Sequence, residues 1–496
     1  MTNYDADLQS IQEARALAQA AYEAQQEFFH FNQQQVDRIC QAMADAAYRE
    51  SARLGQMASE ETGYGVPEHK MLKNHLGSRI VWESIKHVKT VGVINEDRAR
   101  GIIEIGWPMG VVAAVSPSTN PTSTVMYKTL IAVKARNGIV HAPHPAAAKC
   151  CGETIKVMAE AGEAAGMPNG LVACMSKITF EGTQALMGHR RVAVILATGG
   201  PQIVRVAHSM GKPAYGVGPG NVPCYVDRSA DIQKAARYIV SSKAFDYSVI
   251  CATEQAVIAD QPIARQLRVE MEKLGAYFMA PQEAKAVAGL IFSPTGAINP
   301  KAVGQSPQSL GQMAGVQFPR SARILVAPLS KVGRDEPLSR EKLTTVLGWY
   351  EADGWEAGCE RCIELIRFGG RGHTLVIHAT DEHVILQFGL EKPVFRILVN
   401  TMGTIGSVGI TTNLAPSMTL GSGGIGGSIT GDNISTTHLL NIKRLAYEVT
   451  SPPDNILVGA QAAPASAATG SNSPAGITQT DVEEIVRRVL QEINGQ

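Results

Sequence analysis

"VAVILATGGPQIVRVA", residues 192–207, is the stretch that decides the fold class, because a strand pattern changes to a helix pattern at one turn. An apolar run of strand length is followed by Thr198, Gly199 and Gly200, and a helix pattern begins after them. The first backbone N–H groups of a helix placed in this way can face a pyrophosphate. The stretch therefore predicts a strand, a glycine turn and a helix, with an anion site at the turn.

Strand and helix patterns alternate on both sides of this stretch. Residues 7–60 predict two helices, and residues 99–119 predict a hairpin arm followed by a buried strand. A helix pattern follows Pro121, and the strand pattern "GIVHAP" comes next. Beyond about Arg228 a new alternation begins. Such alternation is typical of parallel sheets covered by helices, so we predict an α/β protein with two sheet domains.

The overall composition favours small-molecule chemistry. The 496 residues are 45% apolar, and Lys plus Arg and Asp plus Glu both total 45, so no basic field is available to bind nucleic acid or anionic lipid. We find no run of about eighteen apolar residues, and the start "MTNYDADLQS" is unlike a secretory signal. The sequence predicts a cytoplasmic protein with no nucleic-acid or membrane partner.

The eight cysteines do not form the pattern of a disulfide framework, and we expect reduced thiols. Cys359 and Cys362 have the spacing of half a zinc site, but no second pair accompanies them, so no metal is predicted. Cys40, Cys174 and Cys224 lie in apolar contexts typical of core residues.

The last 38 residues differ in composition from the rest of the chain. Residues 459–476 are small residues, Pro, Asn and Gln, which predicts a flexible linker. Residues 477–496 place apolar side chains at steps of three and four, which predicts an amphipathic helix. An apolar stripe on a tether is typical of a helix that docks on a partner, and the alternative is that it packs on its own body.

Seven motifs, in this order, resemble the CoA-acylating branch of the aldehyde dehydrogenase superfamily over roughly residues 5–450. They are "SPSTNPTST" (116–124), "LATGG" (196–200), "VGPGNVP" (217–223), "FDYSVICATEQ" (245–255), "GHTLVIH" (372–378), "RILVNT" (396–401) and "LAPSMTLG" (414–421). The resemblance implies a Rossmann-type cofactor domain, an α/β catalytic domain and a small β oligomerisation arm.

The domain boundaries predicted on this basis divide the chain into five segments. They are 1–225 for the NAD- and CoA-binding domain, interrupted by the arm at about 98–108; 226–420 for the catalytic domain; 421–458 for a return segment and oligomerisation strand; 459–476 for the linker; and 477–496 for the terminal helix. The arm and a strand near 440–450 are expected to form a dimer or tetramer, as in the superfamily.

The resemblance also implies three catalytic residues. Cys251 matches the family cysteine that attacks the aldehyde, and a thiolate forms a thiohemiacetal and then leaves readily as a thioester. The Asn120 side chain and the Cys251 backbone N–H are expected to hold the developing alkoxide. His373 is expected near Cys251 as an aid to proton transfer, and its alternative is a histidine packed at a strand start.

The predicted cofactor is NAD, bound at the turn of residues 198–200. The late stretch "GSGGIGG" (421–427) also matches a glycine-rich fingerprint, but it opens no obvious helix and lacks an acidic residue at the required distance. His144 stands where hydrolytic relatives usually have a ribose-binding lysine. The predicted cofactor-binding residues are Ser116, Pro117, His144, Pro145, Thr198, Gly199, Gly200 and Gly218.

One departure from the hydrolytic relatives predicts the acceptor. Those enzymes carry a glutamate that activates water at the head of the segment matching 216–223, and this chain has Gly216 at or next to that place. Glycine cannot accept a proton, so the acyl-cysteine should await the CoA thiol in a ping-pong reaction. The alternatives are a hydrolytic enzyme that releases free acid and a non-catalytic scaffold.

The predicted reaction converts a short-chain aldehyde, propanal or acetaldehyde, with CoA and NAD+ to acyl-CoA and NADH. The tail at 477–496 resembles the encapsulation peptides that load enzymes into bacterial microcompartments. A shell protein or co-cargo is therefore the expected partner, and the lumen of a microcompartment in the cytoplasm is the expected location.

Overall fold

The computed structural model describes residues 5–453 and 456–458. The predicted linker (459–476) and terminal helix (477–496) lie outside the described residues. The α-helices are α1 (Ala6–Phe28), α2 (Gln33–Arg49), α3 (Ser51–Thr62), α4 (Pro67–His75), α5 (Val81–Ile85), α6 (Pro121–Lys134), α7 (Ala148–Ala164), α8 (Phe180–Gly188), α9 (Pro201–Ser209), α10 (Ile232–Ala244), α11 (Gln261–Lys273), α12 (Pro281–Ile291), α13 (Pro307–Ala314), α14 (Gly354–Phe368), α15 (Glu382–Glu391) and α16 (Gly403–Ser407).

The strands are β1 (Gly92–Asp97), β2 (Ile102–Pro108), β3 (Val111–Ser116), β4 (Gly138–Pro143), β5 (Val172–Cys174), β6 (Val192–Thr198), β7 (Ala214–Val217), β8 (Val222–Val226), β9 (Glu254–Asp260), β10 (Ala276–Phe278), β11 (Ile324–Pro328), β12 (Val346–Ala352), β13 (Leu375–His378), β14 (Ile397–Val399) and β15 (Leu440–Ala446). The strand, turn and helix predicted for 192–207 are β6 and α9. None of the described helices is long and apolar enough to cross a bilayer.

The first sheet has five parallel strands in the order β5-β4-β3-β6-β7. The chain runs outward from β3 in one direction and from β6 in the other, so the order reverses between these two neighbours. Every residue of β3 and β4 is buried, because helices cover both faces. In open α/β sheets, ligands bind beyond the carboxyl ends of the strands at such a reversal.

The second sheet has seven parallel strands in the order β10-β11-β12-β9-β8-β13-β14. The two sheets follow one another closely along the chain, since β7 ends at Val217 and β8 begins at Val222. The amino end of β8 pairs with that of β9, where Val222 lies beside Glu254. The α/β class and the two parallel sheets predicted from the sequence are thereby confirmed.

The N-terminal region contains three helices, α1 to α3, where two were predicted. Asn32 begins α2 with a capping box, in which its side chain accepts from Gln35 N at 3.0 Å. The break between α2 and α3 lies at Glu50 and contains neither glycine nor proline. No local sequence signal marks that break, which is why the pattern did not predict it.

The described residues form two compact units. The larger contains 5–96 and 103–445, and the smaller contains 97–102 and the described residues from 446 onward. A small sheet has the order β1-β2-β15. Within the larger unit, Arg444 Nε of β15 donates to Glu104 Oε1 of β2 at 3.0 Å. The role of this sheet in oligomerisation and the five domain boundaries stay predictions.

Candidate active site

A cleft of ≈ 1090 Å³ lies where the carboxyl ends of β3 and β6 meet the amino ends of β8 and β9. Its volume is slightly above the usual range of about 300–1,000 Å³ for small-molecule sites. Ten of the predicted site residues line it: Ser116, Pro117, Asn120, His144, Pro145, Thr198, Gly199, Gly200, Gly218 and Cys251. The structure therefore brings the predicted cysteine, asparagine and cofactor-side residues together.

Cys251 lies in the loop that leads into β9, three residues before Glu254, and its side chain is partly buried. Burial raises the pKa of the thiol to about 12, and the nearby Glu341 carboxylate raises it further, while Arg396 opposes the shift. The resting side chain is therefore a neutral thiol. All eight cysteines, which lie within the described residues, are free thiols, as expected.

Asn120 follows β3 and directly precedes α6, and its side chain is 9% exposed. Its Nδ2 donates to Val249 O at 3.0 Å and to Thr119 Oγ1 at 3.2 Å. Its Oδ1 accepts from Lys73 Nζ at 2.6 Å. The amide nitrogen therefore faces the loop that carries Cys251 through Val249, and its contact with Thr119 leaves an N–H that suits a donor to an oxygen bound near the sulfur.

His373 is not among the residues that line the cleft. It lies behind Gly220, since a Cβ at Gly220 would be 2.4 Å from Cys251 O and 3.0 Å from His373 Nδ1. Its Nδ1 is 2.9 Å from Thr374 Oγ1, and its buried Nε2 has no hydrogen-bond partner. Burial lowers the pKa of the imidazole to about 3, so it is neutral. Its role in proton transfer stays a prediction.

Glu341 is a cleft residue that the sequence reasoning did not identify. Its Oε1 accepts from Gly220 N at 2.8 Å, and burial raises the pKa of the carboxyl to about 7. In the sequence it stands between Arg340 and Lys342, which is typical of a solvated surface, so no local signal indicated a cleft position. The other charged side chains lining the cleft are those of Arg334 and Arg340.

Of the two neighbouring residues Gly216 and Val217, it is Val217 that lines the cleft, whereas the sequence predicted Gly216 at or next to the place of the water-activating glutamate. A Cβ at Gly216 would lie 2.5 Å from His208 Nε2 and 2.8 Å from Val204 Cγ1, both on α9, so this position faces the helix. Val217, the next residue of β7, lines the cleft. Successive side chains of a strand point to opposite faces of the sheet, so only one of these two neighbouring residues can face the cleft. Valine, like glycine, cannot accept a proton.

The other half of the cleft fits a dinucleotide. The turn Gly199-Gly200 presents the first N–H groups of α9, and anions bind favourably at such a helix start. Ser116 Oγ is buried at the end of β3 without a hydrogen-bond partner, so it is available to a ligand. His144 Nδ1 accepts from Ala146 N at 3.1 Å, which fixes the ring at the end of β4. These features suit phosphate and ribose groups.

Comparisons with known proteins agree with this geometry. Residues 4–280 match the aldehyde dehydrogenase family. Aldehyde-alcohol dehydrogenase 2 of Entamoeba histolytica is 41% identical over 428 residues, which are 84% of this chain and 49% of that protein. The chain thus spans about half the length of the aldehyde-alcohol dehydrogenases it matches.

Two solved structures share the fold over most of both chains. The acetylating aldehyde dehydrogenase from Geobacillus thermoglucosidasius is 49% identical with a TM-score of 0.89, covering 90% of this chain and 99% of that one. A propionaldehyde dehydrogenase from the fucose utilisation bacterial microcompartment of Clostridium phytofermentans is 27% identical with a TM-score of 0.78, covering 87% and 96%. Sequence and fold together show that this chain belongs to the aldehyde dehydrogenase family.

Proposed function

We propose that this chain is a CoA-acylating aldehyde dehydrogenase that uses NAD+ to oxidise a short-chain aldehyde. The observation that carries the proposal is the content of one cleft: the Cys251 thiol, the Asn120 amide and, in place of a water-activating carboxylate, the aliphatic Val217. The similarity to an enzyme described as an acetylating aldehyde dehydrogenase supports it.

The first half of the reaction acylates Cys251. Because the resting thiol is neutral, it must first lose its proton, which is the proton released in the overall reaction. The Sγ–carbon bond then forms while the carbonyl π electrons move to oxygen. Asn120 Nδ2 is positioned to donate to this alkoxide, which would replace the weaker contact with Thr119 Oγ1 at 3.2 Å. Loss of hydride from the carbon restores the C=O bond and leaves a thioester on Cys251.

The dinucleotide would be held by the Gly199-Gly200 turn, Ser116 and His144, as described above. When bound, its nicotinamide supplies the hydride acceptor. The resemblance rather than the geometry favours NAD over NADP.

The second half of the reaction transfers the acyl group to CoA. The CoA thiolate attacks the thioester carbon, the carbon–Sγ bond breaks, and Cys251 leaves as a thiolate. The overall reaction is aldehyde, NAD+ and CoA to acyl-CoA, NADH and a proton. A thiol of ordinary pKa near 8.5 needs less activation than water, so the aliphatic side chain of Val217 favours the thiol. The carboxyl that does line the cleft, Glu341, already accepts a hydrogen bond from Gly220 N.

The apolar side chains that line the cleft suit a small apolar aldehyde such as propanal or acetaldehyde. These side chains include Ile250, Phe292, Ile298, Val408 and Met418. Each methylene buried against such a surface contributes about 0.8 kcal/mol. The two aldehydes therefore differ too little for the lining alone to select one.

The deciding experiment measures NADH and product from propanal and acetaldehyde, with and without CoA. We expect steady NADH formation and acyl-CoA only when CoA is present, and none of either in Cys251→Ala. Free carboxylic acid formed at the same rate without CoA would establish the hydrolytic alternative. An unaffected Cys251→Ala variant would contradict the catalytic assignment, and an inactive wild type would favour the scaffold.

We further propose that residues 459–496 carry the enzyme into a bacterial microcompartment, through a shell protein or co-cargo. The resemblance of the tail to encapsulation peptides supports this, as does the similarity to a microcompartment propionaldehyde dehydrogenase. Deletion of 459–496 should leave activity unchanged and abolish co-purification with shells. Encapsulation without the tail would contradict it. Size-exclusion chromatography would test the proposed dimer or tetramer.

A further inference from the structure

Three consecutive residues before the candidate nucleophile adopt left-handed backbone conformations. Asp246, Tyr247 and Ser248 have φ values of 47°, 46° and 70°. Each such non-glycine residue costs about 1 kcal/mol or more, so surrounding contacts must hold the segment. The Asp246 side chain is completely buried and makes such contacts.

Helix α4 and the residues before it hold Asp246 from one side. Its Oδ1 accepts from Val66 N at 2.6 Å, and its backbone N donates to His69 Nδ1 at 2.8 Å. Gly65 has φ +73°, and a Cβ there would lie 2.0 Å from Asp246 Oδ1, so only glycine permits this approach. The carboxylate also forms ion pairs with two buried lysines of α4, Lys70 at 3.2 Å and Lys73.

Lys73 also contacts Asn120, which lines the cleft. Its Nζ donates to Asn120 Oδ1 at 2.6 Å, while Asn120 Nδ2 donates to Val249 O at 3.0 Å. Burial lowers the pKa of Lys73 to about 7, and the Asp246 carboxylate opposes this shift. In its ammonium form the group has donors only, so the amide must turn its oxygen to Lys73 and its nitrogen to the Cys251 loop. If the amide flipped, its oxygen would face the developing alkoxide and repel it.

Stability alone does not explain a lysine in this place. Lys73 is 3% exposed, and a buried ion pair is often no more stabilising than apolar residues of similar volume. A charge-assisted hydrogen bond to Oδ1 does more, because it draws electrons from the amide and strengthens its N–H groups as donors.

We propose that Lys73 is a positioning residue for thioester formation: held by Asp246, it fixes and polarises the Asn120 amide as donor to the alkoxide. The inference rests on the proposed function for the role of Asn120. Helix α4, which carries Lys73, does not itself line the cleft and would act on the reaction only through Asn120.

Lys70 provides a matched control on the same helix. It is 2% exposed, pairs with the same Asp246 carboxylate and donates to Thr119 O at 3.2 Å, whereas the hydrogen bond to Asn120 Oδ1 comes from Lys73. Lys70→Met and Lys73→Met should therefore lower the melting temperature by similar amounts. Only the second change removes the polarising contact with Asn120.

The experiment follows the burst of NADH from aldehyde and NAD+ without CoA, which reports acylation alone. We expect Lys73→Met to slow the burst about 10- to 100-fold at unchanged KM for aldehyde, and Lys70→Met to slow it less than about 3-fold. In an Asn120→Ala background, adding Lys73→Met should slow the burst by less than about 3-fold more, because the amide is already absent. Lys73→Gln, which can still donate, should recover part of the rate.

Several results would overturn the inference. The first is an equal loss of burst rate in Lys70→Met and Lys73→Met. The second is a burst that Lys73→Met slows as much in the Asn120→Ala background as in the wild type. The third is failure of both Lys73 variants to fold, which would give Lys73 a role in folding only. A wild type without an NADH burst overturns this inference together with the proposed function. A burst followed by free acid overturns only the CoA acceptor and leaves the Lys73 comparison intact.

Discussion

Val217→Glu should convert the enzyme toward hydrolysis by placing a carboxylate where the cleft now has an aliphatic side chain. Val217 is 2% exposed, and the carboxyl of Glu341 in the same cleft has its pKa raised by burial to about 7. A similar pKa for the new glutamate would make it about one-tenth ionised at pH 6 and about nine-tenths at pH 8. As a general base it should accelerate thioester hydrolysis by about 10²-fold or more.

The raised pKa of the introduced glutamate also predicts that the variant is less stable than the wild type at neutral and alkaline pH. A carboxyl whose pKa rises from about 4.3 to about 7 on folding destabilises the folded state once the pH exceeds 4.3, by about 3 to 4 kcal/mol at pH 8. The assay is release of carboxylic acid from aldehyde and NAD+ without CoA, across pH 6 to 8, with thermal melting in parallel. Hydrolysis should rise about tenfold over this range.

Two controls separate the base from the change in shape. Val217→Gln has a similar size without a charge and should not hydrolyse the thioester. Gly216→Glu should destabilise the protein without hydrolysis, because its Cβ would lie 2.5 Å from His208 Nε2 on α9. Equal hydrolysis by Val217→Gln, or hydrolysis by Gly216→Glu alone, would refute this assignment of the two faces of β7.

Two further predictions concern charge. Glu341→Gln should speed alkylation of Cys251 by iodoacetamide about 3- to 10-fold above pH 7, because it removes a negative charge that raises the thiol pKa. It should have little effect below pH 6, where the carboxyl is protonated. Slower alkylation would instead indicate that Glu341 accepts the thiol proton. Asp37→Ala should lower the free energy of unfolding by about 3 kcal/mol, because the buried Lys134 loses its ion-pair partner. Asp45→Ala on the same helix, where the partner is the exposed Gln41, should cost under about 0.5 kcal/mol in the same denaturant titration.

Residues close together in the chain, or at equivalent ends of parallel strands, were predictable. Ser116, His144 and Thr198 follow or end β3, β4 and β6, and the carboxyl ends of parallel strands meet at one edge. Cys251 and Asn120 were identified through the family resemblance, and the structure places both in the cleft. Their catalytic roles stay predictions.

The sequence by itself determined the α/β class, the β6-turn-α9 unit at 192–207 and the set of residues at the carboxyl edge, because these depend on local periodicity and turn residues. Only the tertiary structure decided that Val217 rather than Gly216 faces the cleft, since strand side chains alternate and a one-residue error reverses the face. It alone brought Glu341 beside Gly220 and Lys73 between Asn120 and Asp246. Contacts between such distant parts of the chain leave no pattern in either local segment.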